Sequence, residues 1–229
     1  MNNTLSPRQV YSMCNEIDSI ASEAKVRIEE AMYNFNTFLS KTWEDDDAVD
    51  FAKKVSNSMN GVIESLANNS NSIKNGIVDV ANMYAKQAHK PLMNSSRITF
   101  YSAINPSVVK TTFDDGETYG FKDDNSSGRV TEEFEKLVTK CNKINTQLTE
   151  DLSSINAFGN PEVKAVINHV SNLIGKALNA SVYDIKQFAS DKIYHVASSY
   201  KRISENAVSA IDSIVTENNV IEGHGGIFR

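Results

Sequence analysis

The stretch that decides the fold is KTWEDDDAVDFA, residues 41–52. It holds the single tryptophan, Trp43, followed by four consecutive acids, Glu44 to Asp47. Apolar residues restart at Ala48, Val49 and Phe51. Asp45, Asp46 and Asp47 suit the first turn of a helix, where carboxylates meet free N–H groups and the positive end of the helix dipole. The stretch therefore reads as a tight turn between two helices.

Working back from it, Val10, Met13, Ile17, Ile20, Ala24, Ile28, Ala31, Phe35 and Phe38 recur at threes and fours. That spacing predicts one long amphipathic helix to about residue 40. Ser6-Pro7 supplies an N-cap and a proline at the first helical position. Working forward, Phe51, Val55, Met59, Val62, Leu66, Ile73, Ile77, Val80 and Tyr84 predict a second helix over about 45–88, ending before Pro91.

The texture changes over 90–130, which holds two of the four prolines and three of the ten glycines. SVVKTTF and ETYGFK flank DDG, which predicts a β-hairpin turning at Asp115-Gly116; ITFYSA, 98–103, is a candidate third strand. Helices return after Gly128. Phe134, Leu137, Cys141, Ile144, Leu148 and Ile155 form a third stripe, broken by FGNPEV. A fourth runs through Val166, Val170, Ile174, Ala177, Ile185, Phe188, Val196, Tyr200, Ile203 and Ala207 to about Val215, with an interruption expected near Ala180. The tail, 216–229, has three glycines and no stripe and is expected to be mobile.

The two helical halves align. CNEI at Cys14 matches CNKI at Cys141, and Ile77, Val80, Ala81 and Tyr84 match Ile193, Val196, Ala197 and Tyr200. The Trp43 turn then corresponds to Phe158-Gly159. The expected fold is mainly α: an elongated four-helix bundle of two αα-hairpins, with a small β-hairpin insertion between them. The expected division is a first hairpin over 1–89, the insertion over 90–130, a second hairpin over 131–215, and the tail.

A long helix, a tryptophan at the turn, acids, then Ala48 and Phe51 opening a second long helix resemble the WXG (early-secreted-antigen) family. These are helical hairpins that pair into antiparallel four-helix bundles and serve type VII secretion. The family's Trp-any-Gly turn appears as Trp43-Glu44-Asp45, with Asp in place of Gly. In the second half Phe158 stands where the Trp would be, with Gly159 after it. The family's export signal, a Tyr with an acid four residues later, is not present as such: Tyr84 is followed there by Ala88 and Tyr200 by Ser204. LXG toxins carry a similar helical targeting region, and no toxin domain is expected here.

The resemblance implies a non-enzymatic exported substrate, adaptor or targeting module. Its contacts would be with protein: secretion machinery or a helical co-secreted partner. Trp43, Glu44, Asp45, Phe51, Phe158, Gly159 and Tyr200 are the candidate docking residues. As a tandem pseudo-dimer the chain is expected to be a monomer. It would be cytoplasmic before export and secreted without a classical signal peptide, since MNNTLSPRQV lacks an apolar core.

The other readings follow from composition. Net charge is −6 without a basic stripe, so no nucleic acid is expected. No apolar run is long enough to span a membrane. The histidines at 89, 169, 195 and 224 make no ligand pair, and no cofactor is expected. DDNSSGRVTEEF offers a weak calcium loop through Asp123, Asn125, Ser127 and Glu133, although Phe134 occupies the place of the final Glu. Cys14 and Cys141 are expected to be buried free thiols. A structural or adhesion-type helical bundle is the alternative to a secretion role.

Overall fold

The computed structural model describes residues 5–93, 120–121 and 125–224; the side chains of 44, 120 and 211–224 are left out of the description. Four helices make up nearly all of it: α1 Pro7–Thr42, α2 Asp46–Gln87, α3 Ser126–Ser154 and α4 Pro161–His224. Two two-residue strands, β1 Trp43–Glu44 and β2 Gly120–Phe121, pair antiparallel with Trp43 opposite Phe121.

The helices start where local chemistry directs. Ser6 accepts the N–H of Gln9 while the Gln9 side chain accepts the N–H of Ser6, a reciprocal box that satisfies two otherwise unpaired donors. Asp45 caps α2 by accepting the N–H of Ala48 at 2.7 Å, and Asp46 and Asp47 fill its first turn. Asn160 accepts the N–H of Val163 at 2.9 Å as α4 begins.

The four helices form an antiparallel bundle, neighbours running α1, α2, α4, α3 around the core. Cross-helix pairs show the directions. Asp18 meets Lys74 and Asn36 meets Ser56 between α1 and α2. Tyr84 meets Glu162 and Asp47 meets Lys192 between α2 and α4. Asn145 meets Gly175 and Asn179 between α3 and α4. Phe35 meets Phe134 between α1 and α3. The Trp43 turn and the 155–160 turn consequently lie at opposite ends.

The predicted stripes of α1 to α3 are buried along their lengths, with Ile20, Phe38 and Tyr84 half-buried at the edges. On α4 the buried seam is Val163, Ile167, Ile174, Leu178, Val182, Ile185, Ala189, Ile193 and Val196, so Val166, Val170 and Phe188 flank it and Ala177 is exposed. At Gly76 an added Cβ would stand 2.7 Å from Val166 Cγ1, because α2 and α4 approach closely there.

Three expectations are corrected. Helix α3 starts at Ser126, not after Gly128, because buried Ser126 and Val130 already belong to its inward face. Thr131, inside the helix, donates to the carbonyl of Ser127. Helix α4 is unbroken at Ala180, since Leu178, Val182 and Ile185 keep the core spacing across it. It also continues to His224 instead of ending near Val215, and Ile203 and Ala207 are exposed because the bundle stops short of them. The expected hairpin at Asp115-Gly116 and the ITFYSA strand lie outside the described residues; Gly120–Phe121, from ETYGFK, pair with Trp43–Glu44.

Candidate functional site at the Trp43 turn

The turn between α1 and α2 gathers five of the seven candidate docking residues. Trp43 is the C-cap of α1 in extended conformation, and its ring is 0% exposed. It stacks on Phe121 at 5.0 Å between centroids and tilts against Phe51 at 5.6 Å. Its indole N–H donates to Asp45 Oδ2 at 2.8 Å. The Tyr200 hydroxyl, arriving from α4, donates to the same oxygen, and the Tyr200 ring meets Phe121 edge-on at 5.8 Å. Asp45 thus closes three contacts: the α2 cap, the indole and the α4 hydroxyl. Burial, then the Asp45 carboxylate, push the Tyr200 hydroxyl well above its ordinary pKa. Glu44 pairs through its backbone with Gly120.

Phe51 is 0% exposed and joins all four helices. It lies 6.2 Å from Phe35 of α1, 6.2 Å from Phe134 of α3 and 5.9 Å from Phe188 of α4. Trp43 and Phe51 are candidate docking residues, and Phe51 also opens the apolar stripe of α2. In this conformation they face the core, and the outward features of this end are Asp46, half-buried Asp47 with its Lys192 partner, and the continuation of α4. Burial of the indole follows from Phe121, which closes over it and is far away in sequence.

Phe158 and Gly159 sit at the opposite end, so they do not join the Trp43 site. Both adopt left-handed backbone, φ 52° and 74°, the first unusual for a phenylalanine. Asn156 accepts the N–H of Phe158 at 2.8 Å, Gly159 is exposed, and the half-buried Phe158 ring packs on the core. At this end the Tyr84 hydroxyl donates to Glu162 at 2.8 Å, and that bond raises its pKa.

Two of the four calcium-loop candidates, Ser127 and Glu133, lie on α3 with Gly128 and Val130, and a helix points successive side chains in different directions instead of wrapping them around one cation. Glu133 is 2.6 Å from Lys136. Asn125 is the residue before the helix, and Asp123 lies outside the described residues. Among the described residues no group of three or more metal-ligating side chains is brought together, and no helix is long and apolar enough to cross a membrane.

Sequence reasoning missed the buried Lys74. Lys74 is 0% exposed, with its ammonium 2.6 Å from Asp18 between α1 and α2. Its position on the inward face between Ile73 and Ile77 was the available signal. The thiols are free and buried; burial pushes Cys14 up to about 12 and Cys141 up to about 11. Comparison with family models, curated proteins and solved structures finds no match for this chain.

Proposed function

We propose that this chain is a non-enzymatic, WXG-like protein of a type VII secretion pathway, acting as exported substrate, adaptor or targeting module through helix-face contacts. The observation that carries the reading is the Trp43–Asp45 turn. A tryptophan closes one long helix, an acid caps the next, and the two helices lie antiparallel against a second hairpin. Within this reading the two hairpins are a tandem pseudo-dimer: each covers the apolar face that a single hairpin would leave in water. The bundle itself then needs no partner chain, and contacts are left to its ends and outer faces.

The test is export. The full chain, tagged internally at an exposed position, is expressed in a bacterium carrying a type VII system and in its apparatus-deficient derivative. Accumulation in the medium of the first strain alone is the expected result. Retention in both, or equal release from both, overturns the reading.

One observation favours the structural or adhesion-type alternative. At about 1.5 Å per residue, the 64 residues of α4 make a rod of about 96 Å, longer than the other helices. Such a rod suits a spacer, and equal release from both strains would leave that reading standing.

A further inference from the structure

The Trp43 turn holds a seat and an occupant that come from different parts of the chain. The seat belongs to the bundle. Phe51 backs the indole at 5.6 Å, Asp45 Oδ2 accepts its N–H at 2.8 Å, and the Tyr200 hydroxyl reaches the same oxygen from α4. None of these contacts uses Phe121. The occupant is β2, two residues long, which pairs with the β1 backbone and sets Phe121 opposite Trp43. The Phe121 ring stacks on the indole at 5.0 Å with 27° between the planes, and meets the Tyr200 ring edge-on at 5.8 Å. Phe121 is half-buried, whereas the indole beneath it is fully buried. The two parts differ in what holds them. The seat is fixed by a helix cap, hydrogen bonds and packed helices, and the occupant by one short ladder and two ring contacts. A strand pair this short is marginal by itself. Segments with few buried contacts open locally at a lower free energy than the whole domain.

We propose that β1 and the Trp43 ring form a strand-addition site for an extended segment of a partner protein carrying an aromatic side chain, and that Gly120–Phe121 is its built-in competitor. The occupant in the structure shows the chemistry that the site takes. Backbone pairing with Trp43–Glu44 holds an extended chain, and the slot between the indole and the Tyr200 ring selects an aromatic ring at the place of Phe121. Without a partner the tethered strand keeps the seat filled. A partner segment of that kind replaces Gly120–Phe121 residue for residue, and the bundle below keeps its core. Asp45 holds the indole and Tyr200 in place before and after, so the exchange needs no movement of α1, α2 or α4. The inference does not depend on a secretion role.

The experiment uses the full chain and a capped peptide with the sequence ETYGFK, residues 117–122. Trp43 is the single tryptophan, so its emission reports the seat alone. Phe121→Ala should keep the helical circular dichroism and a cooperative melt while the indole emission shifts to the red. The peptide added to this variant should return the emission to the blue in a saturable way, and the same peptide with alanine in place of its phenylalanine should not. The wild-type chain should bind the peptide more weakly than the variant, by about tenfold or more, because a tethered strand competes at high effective concentration. Loss of the cooperative melt in Phe121→Ala overturns the proposal, since Phe121 would then belong to the core. So does an indole that stays buried in that variant, a peptide that fails to restore its emission, equal restoration by the alanine peptide, or equal affinity for the wild-type chain and the variant.

Discussion

At the residue scale, Asp45 concentrates the chemistry of the turn. Asp45→Ala removes the α2 cap and the acceptor of both Trp43 and Tyr200, and should cost about 2–4 kcal/mol in urea unfolding. Asp45→Asn keeps a capping oxygen and should cost less. A cost for Asp45→Ala no larger than that of an exposed side chain would show the three contacts to be idle. Cys14 and Cys141 make a second prediction, from the upward shift of both thiols. Each holds its proton in the folded state above the point, near 9, where the unfolded chain releases it. The folded state then binds more protons, so stability falls as pH rises from about 9 towards 11 and 12. Two serines in place of the cysteines should flatten that slope. Native thiols should also resist alkylation at neutral pH and react fully in denaturant.

At the element scale, close approach and a buried ion pair hold the helices in register. Gly76→Ala would press a methyl group into Val166 Cγ1 and should destabilise by about 1–3 kcal/mol. Gly76→Ala combined with Val166→Ala should recover part of the loss by opening that space. Equal costs with and without the second change would mean that α2 and α4 do not meet there. Lys74 and Asp18 are asymmetric. Asp18→Ala leaves a buried ammonium without its carboxylate and should cost about 3–5 kcal/mol, whereas Lys74→Met with Asp18→Leu should be much nearer neutral. The buried Asn145 amide, 2.6 Å from Asn179, plays the matching role between α3 and α4.

At the scale of the whole molecule, the two hairpins share one core through Phe51, which touches aromatic rings of α1, α3 and α4. Denaturant unfolding followed by Trp43 fluorescence and by helical circular dichroism should therefore give one coincident transition. The buried indole should emit at short wavelength before it and shift to the red across it. A fluorescence midpoint well separated from the helical one would mean that the hairpins unfold independently.

The amino-acid sequence by itself determined the local elements. The period of the apolar residues marked four helices, Ser6-Pro7 and the acidic run marked where two of them begin, and Trp43 with that run marked the turn. Such signals are legible because caps and amphipathic stripes are written within a few residues of one another. Only the tertiary structure decided which way Trp43 faces, because the rings that bury it come from positions 51 and 121. It alone decided that Lys74 finds Asp18, that Gly76 must stay small against Val166, and that Ile203 and Ala207 continue a core stripe with nothing on it. Periodicity states that a face is apolar. Whether that face is covered depends on where the neighbouring helices end.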